Sequence, residues 1–474
     1  MRVISQRPSS RMNVALYLCV LGVLAGAAPA ADNSKQVESP SYVVVASKKT
    51  CAEADWKLVI DALVEKHQAK VITYNESLGE VIEKLAHIFP RYTCFVAKPE
   101  EANRDFVRDA HRLTRKLDSD PYTDVIWGIV TGYDPADALR IARHKEPLAA
   151  RRLLSGTVGS PLDQYDEGMM FDELQARVMW QKEPGGELTK KSCPTDTTKI
   201  IVDALNDYKP HVFITSGHAT ERDWMIGYSY RNGFLRCKDG QLYGQDTKTT
   251  RHDISSPNPK VHLAVGNCLI ANIPDRNCMA LALMHSVGVY QMVGYTIPTS
   301  YGYAGWGVKD YFSELQAGRF TLAQAHYANN LALVYELEKR GQNTEKATRP
   351  GLRGDRDVVV LYGDPAWEAR MPRRKLPWTQ KLTEKNGLYT FTITANKTAD
   401  WDNRPVVELL PHRVKNIKLI EGDKYSPVIT DNFLLVQMRD ELLPMKGNRG
   451  GQIPIRGDFK KGQTFTILFE ADRI

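Results

Sequence analysis

At 474 residues, with 42% hydrophobic and 25% charged side chains, the chain is too long for one ordinary core and has the composition of a soluble globular protein, so two or three folded units are expected. The net charge of +7 is supplied partly by arginines near the N-terminus and by the basic segment 370–375; without a basic stripe to track a phosphate backbone, nucleic acid is excluded as the expected partner. Cys51, Cys94, Cys193, Cys237, Cys268 and Cys278 are sparse and unclustered, which fits neither a small disulfide framework nor a Cys-x-x-Cys zinc site.

In chain order, Arg2, Arg7 and Arg11 precede an apolar run over 14–27 that ends in Ala28-Pro29-Ala30. This pattern predicts a signal peptide over 1–30 and a mature protein starting at Ala31. The run falls short of the ~20 apolar residues of a spanning helix, so no integral membrane segment is expected after signal removal, and the location is secreted or periplasmic.

From 42 to about 150, short β-rich runs (42–46, 70–74, 94–97, 125–131) alternate with amphipathic ones (53–67, 78–89, 101–117, 135–144), predicting a largely parallel sheet covered by helices. A helix near 170–181 is expected within the turn-rich segment 156–194, and subdomains of 31–150 and 151–371 are open. A helix over 196–208 leads to the strand 211–215, closed by Ser216-Gly217-His218. Hairpin turns are expected at Arg231-Asn232-Gly233 and Lys238-Asp239-Gly240. The strand 261–265 is closed by Gly266-Asn267-Cys268. Then follow a helix over 278–286, a strand over 287–294, helices around 308–316 and 322–339, and the strand 358–362 before Gly363-Asp364-Pro365. Beyond the link 371–377 the texture is β only (388–394, 406–410, 433–438, 464–469), so 376–474 reads as a small β-sandwich.

His218 and Cys268 each stand just after an apolar run and one or two turn-forming residues. In a parallel sheet, functional groups collect at such carboxyl ends of strands. A thiolate attacks an acyl carbon, and an imidazole protonates the leaving amine. Taken singly, a cysteine beside an apolar strand is more often inert, and a loop histidine is more often bound to a carbonyl. The matched placement, with the histidine about 50 residues upstream as in caspases, favours a dyad.

The segments Val212-Phe213-Ile214-Thr215-Ser216-Gly217-His218 and Leu263-Ala264-Val265-Gly266-Asn267-Cys268 resemble the histidine and cysteine strands of the gingipain family of caspase-like cysteine peptidases. The helix opening at Cys278-Met279-Ala280, the stretch 291–306 and Leu361-Tyr362-Gly363-Asp364-Pro365 match further family features in the same order. The resemblance covers roughly residues 42–370. It implies a caspase-like α/β/α sandwich over 31–371, an immunoglobulin-like domain after it, and endopeptidase activity on protein or peptide substrates. It also implies an oxyanion site from the backbone amides of Cys268 and Ala219, where the family usually has glycine after the histidine. Asp163, Asp166 and Glu167 fall where the family selects a basic P1 side chain, and Tyr295, Tyr301 and Trp306 fall in its substrate-pocket segment. The region 154–160 holds no acid, so no third catalytic member is assigned. No cofactor is expected; a structural calcium ion and the oligomeric state are left open.

Two alternatives share this fold. One is a pseudo-peptidase that binds peptides without cleaving them, compatible with Ala219 and the aromatic loop at Tyr301, Tyr303 and Trp306. The other is a structural envelope protein, for which a thiol opposite an imidazole would have no use.

Overall fold

The computed structural model describes residues 41–299, 302–343, 351–398, 404–437 and 460–474; the expected signal segment 1–30, Tyr301 and Met438 lie outside them. Short runs rich in β-branched and aromatic side chains form one 12-stranded sheet. In chain order its strands are β1 (Tyr42–Ser47), β2 (Lys70–Tyr74), β3 (Tyr92–Val96), β4 (Ile126–Val130), β5 (Arg152–Ser155) and β6 (Glu167–Phe171). They continue with β7 (Val178–Lys182), β8 (Thr189–Ser192), β9 (Val212–Thr215), β10 (Lys260–Ala264), β11 (Val289–Tyr295) and β12 (Val359–Tyr362).

The spatial order is β2-β1-β3-β4-β12-β11-β10-β9-β5-β6-β7-β8. The first five strands in that order run parallel to one another, as do the next five, from β11 to β6. The two blocks meet antiparallel at β11 and β12, and β7 and β8 add an antiparallel edge. Every residue of β1, β4, β10 and β11 is buried, so both faces of the sheet centre are covered. The chain is therefore α/β with a large, mostly parallel sheet, joined by smaller antiparallel sheets.

Two local expectations are corrected. The expected helix near 170–181 is instead the β6–β7 hairpin, in which Asp172 Oδ1 accepts from Leu174 N and Gln175 N and so shapes the turn. Its Met, Glu, Leu and Gln residues are good helix formers, but pairing of β6 with β5, Leu154 opposite Met169, overrides that local preference. Asn232-Gly233 is not a tight hairpin turn either. Asn232 is buried, accepting from Thr197 N and donating to Thr197 Oγ1, and thus ties the loop to the start of a helix. Asp239-Gly240, with φ of 50° and 76°, does form the expected two-residue turn.

The Gly-Asp-Pro segment after β12 has a structural use. Asp364 is 1% exposed, and its carboxylate meets Tyr42 Oη, Lys66 Nζ and His67 Nε2 at 2.8 Å each. Burial alone would push this carboxyl up, but His67 and Lys66 outweigh it and hold the group well below the usual carboxylate range.

Toward the C-terminus, the strands Trp378–Lys385, Leu388–Ala395, Val414–Glu421 and Thr464–Arg473 form one antiparallel sheet, and Val406–Leu409, Val428–Ile429 and Phe433–Val436 form another. Side chains of both, among them Tyr389, Phe391, Leu434, Val436 and Phe469, share one core. This part is bolted to the α/β body by buried polar contacts. Arg404 donates to Asp310 at 2.8 Å, Tyr311 Oη donates to Pro405 O, and Gln316 bonds both N and O of Val407. Among the described residues no helix is long and apolar enough to cross a membrane.

Candidate active site

β9 and β10 are adjacent and parallel, with Thr215 opposite Ala264, and Val265 N extends the ladder to Thr215 O. His218 and Cys268 therefore leave the same end of neighbouring strands, three and four residues beyond that pair. A buried side chain joins the two exits. Asn267, 0% exposed, accepts from Thr215 Oγ1 at 2.7 Å and donates from Nδ2 to Gly217 O at 3.2 Å. The residue before the cysteine thus holds the residue before the histidine.

The support continues inward. Thr215 Oγ1 lies 3.0 Å from Nε2 of His262, a buried ring stacked on Phe213. Burial lowers His262 to about 3, so the ring is neutral; since the threonine hydroxyl is spent on Asn267, Nε2 carries the proton that it accepts. The chain of donors then runs from His262 through Thr215 and Asn267 to Gly217. Gly217 has a φ of 92°, which a side chain would adopt only with strain.

Cys268 is half-buried, and its Sγ accepts from Thr299 N at 3.2 Å and lies 3.4 Å from Thr299 O. The next residue, Leu269, has a φ of 59°. For a branched side chain that left-handed geometry costs about 1–2 kcal/mol, and strain of this kind gathers where a side chain must be presented from a sharp turn. Of the other thiols, Cys51 is also half-buried, and burial raises it. Cys94, Cys193, Cys237 and Cys278 are buried, and burial pushes Cys237 up to about 11 and Cys278 up to about 12.

His218 is exposed, and its ring stacks on Tyr228 with centroids 4.8 Å apart. Its carbonyl accepts from Met225 N, and Thr220 N donates to Asp223 O on the other side of the Ala219–Trp224 bridge. Those two bonds leave the amide of Ala219 outside the pairing. Among the described residues, neither Ala219 N–H nor Cys268 N–H donates a hydrogen bond. The Ala219 side chain packs against the core.

The remaining expected site residues divide. Trp306 belongs to this end of the sheet, because Cβ atoms added at Gly159 and Gly266 would lie 2.5 Å from its ring and 3.4 Å from its Nε1. Tyr295 does not line an open pocket. It is fully buried, accepting from Gly305 N and donating to Asp355, because β11 is buried along its whole length and draws its last residue into the core. Asp166 and Glu167 enter β6 beside Arg152, the first residue of β5, and so sit at the opposite end of the parallel strands from His218 and Cys268. Asp166 is engaged by Arg151 at 2.7 Å and Arg374 at 2.5 Å, and the exposed Asp163 accepts from its neighbour Gln164. The structure does not bring these three acids to the dyad.

A different acid stands near it. Glu173, just past the carboxyl end of β6, accepts from Thr157 Oγ1 and Val158 N, and its carbonyl accepts from the amides of Tyr228 and Ser229. It links the loop after β5 to the tyrosine that stacks on His218. Burial raises its carboxyl pKa, against the pull of those hydrogen bonds. The misread helix over 170–181 hid it; a strand ending at Phe171 would have pointed to it.

Away from the dyad, Asp118, Asp120 and Asp124 each present a carboxylate oxygen within 4.8 Å of the others, and could hold a hard cation. Burial, then the neighbouring acids, raises Asp124 to about 9, and burial raises Asp120 to about 6.

The fold and site together define a mostly parallel α/β protein with a thiol and an imidazole at adjacent strand ends. No protein-family model, curated protein or solved structure matches the chain.

Proposed function

We propose that the protein is an exported cysteine endopeptidase of the caspase–gingipain type, secreted or periplasmic, with an immunoglobulin-like C-terminal domain. The observation that supports the reading is the Asn267–Gly217 bridge between two parallel strand ends, the backbone segments from which Cys268 and His218 follow. His218 takes the thiol proton as Cys268 Sγ attacks the scissile carbonyl carbon, forming a C–S bond, while the amides of Cys268 and Ala219 receive the oxyanion. His218 protonates the leaving amine as the C–N bond breaks, and then takes a proton from the water that releases the acyl group and regenerates the thiol. Trp306 and Tyr228 wall the substrate, and Glu173 orders the loop beside them. The donor set at Asp118, Asp120 and Asp124 is read as a structural calcium site that takes no part in the chemistry.

A second reading is a pseudo-peptidase on the same scaffold. It is favoured by the engagement of Cys268 Sγ with Thr299 rather than with an imidazole. A peptidyl acyloxymethyl ketone separates the two. Turnover of peptides together with labelling of the thiol supports the peptidase, whereas peptide binding with neither turnover nor labelling supports the second reading.

A further inference from the structure

A cavity of about 670 Å³ opens where the α/β body, the link after residue 370 and the C-terminal sheets meet. Six cationic side chains line it: Arg91, Arg319, Arg370, Arg373, Arg374 and Lys375. Glu408 is the one acid in the lining, and Arg319 already pairs with it at 2.6 Å. Arg370 meets Glu368, Arg374 meets Asp166, and Arg91 donates to the carbonyls of Leu410 and Pro411. Arg373 and Lys375 are exposed and have no hydrogen bond or ion pair from their side chains among the described residues. Arg374 Nε is buried with no acceptor.

The wall is held in place. Gly318, at φ +77°, lies so close to the link that a Cβ there would come within 2.7 Å of Arg373 Cα and 2.8 Å of Pro372 O. Asp166 anchors Arg374 from the body side, and the buried Trp378 closes the link at its far end. Phe320 and Trp378 supply apolar surface, which strengthens charge interactions within the cavity. Like charges gathered on a fixed frame repel one another, and nothing in the lining relieves Arg373, Lys375 or the Arg374 Nε–H.

We propose that this cavity binds a small polyanion bearing phosphate groups, carried by a soluble phosphate ester or by a lipid headgroup. Five of the six cations are arginines, whose planar fork matches phosphate oxygens two at a time. The volume lies within the ~300–1,000 Å³ of ordinary small-molecule sites. The inference is independent of the peptidase reading, because the cavity lies at the link and neither Cys268 nor His218 lines it.

The test is calorimetric titration of the full chain with inorganic tripolyphosphate, with citrate as a carboxylate control. Tripolyphosphate is expected to bind, more weakly as salt rises, and the double variant Arg373→Glu, Lys375→Glu is expected to lose affinity by about tenfold or more. Both substituted side chains are exposed, so the unliganded unfolding temperature should not fall. Vesicles of phosphatidylcholine with and without phosphatidylglycerol identify the source. Binding that depends on phosphatidylglycerol and is displaced by tripolyphosphate places the phosphate on a lipid; binding of tripolyphosphate without displaceable vesicle binding places it on a soluble ester. Absence of tripolyphosphate binding, equal affinity in the double variant, or citrate bound as tightly as tripolyphosphate would overturn the proposal.

Discussion

Replacing Asn267 by alanine removes a buried side chain that joins the two strand exits. Two bonds are lost. Thr215 Oγ1 is buried and loses its acceptor, whereas Gly217 O is partly exposed and water can replace its donor. Leaving one buried polar group unmatched costs about 1–3 kcal/mol, so the variant should fold with a loss in that range. Reactivity should fall further than stability, because a displacement of about 1 Å between reacting groups can cost about 100-fold. The assay is the second-order rate of labelling by a peptidyl acyloxymethyl ketone, beside urea unfolding. Asn267→Asp supplies a sharper readout. Ionised, it can accept from Thr215 but cannot donate to Gly217; protonated, its O–H can do so. Its labelling rate relative to wild type should therefore recover as pH falls, a trend that a merely structural role would not produce. An Asn267→Ala variant that labels at the wild-type rate while losing stability would show that the bridge holds the fold and not the site.

Asp364→Asn should destabilise the protein by about 3–5 kcal/mol, since it leaves Lys66 buried without its counter-charge. Because the folded-state pKa of Asp364 is depressed, its contribution is fully present above the unfolded carboxylate pKa of ~3.9 and is lost as pH falls through the folded value; acid-unfolding curves of wild type should show this loss and those of the variant should not. The sequence alone expects the chain to separate at 371–377, but a chain ending at Arg370 would lose Arg404 from Asp310 and expose the surface around Tyr311 and Gln316. Circular dichroism and solubility of that shortened chain should show it unfolded or aggregated, and a soluble, cooperatively folded product would refute this. Calcium should raise the unfolding temperature of wild type but not of Asp120→Asn, with chelator reversing the shift; identical responses in both would remove the ion from residues 118–124.

Much of the α/β body was legible because its strands are short, apolar and cleanly punctuated. β2 spans 70–74 as read, and the helices Ala54–His67 and Leu322–Lys339 follow their apolar periodicity to within a residue or so. What failed depends on pairing rather than on local pattern. Residues 170–181 carry helix-forming side chains, and only the neighbouring β5 makes them a hairpin. Tyr295 looked like a pocket residue because nothing local states that β11 is buried on both faces. Asp163, Asp166 and Glu167 were placed by their distance along the chain from β5, yet they enter the next parallel strand, and entry lies at the far end from the site. Cys268 and His218 could be singled out from strand ends alone. Their joining through Asn267, Thr215 and His262 could not, because it rests on the register of two strands about 50 residues apart.

The central claim is that Cys268 is a nucleophile served by His218, and the most direct measurement is peptide mapping of the full chain after reaction with a peptidyl acyloxymethyl ketone. The account predicts a single adduct on Cys268, abolished in Cys268→Ala and slowed by about 100-fold or more in His218→Ala, with the unfolding temperature of each variant nearly unchanged because His218 is exposed and Cys268 stands at a loop edge. Cys278, buried and with its thiol pushed up to about 12, should remain unmodified, and Cys278→Ala should label as wild type does. Failure to label, or an adduct at Cys51 that persists in Cys268→Ala, would contradict the assignment.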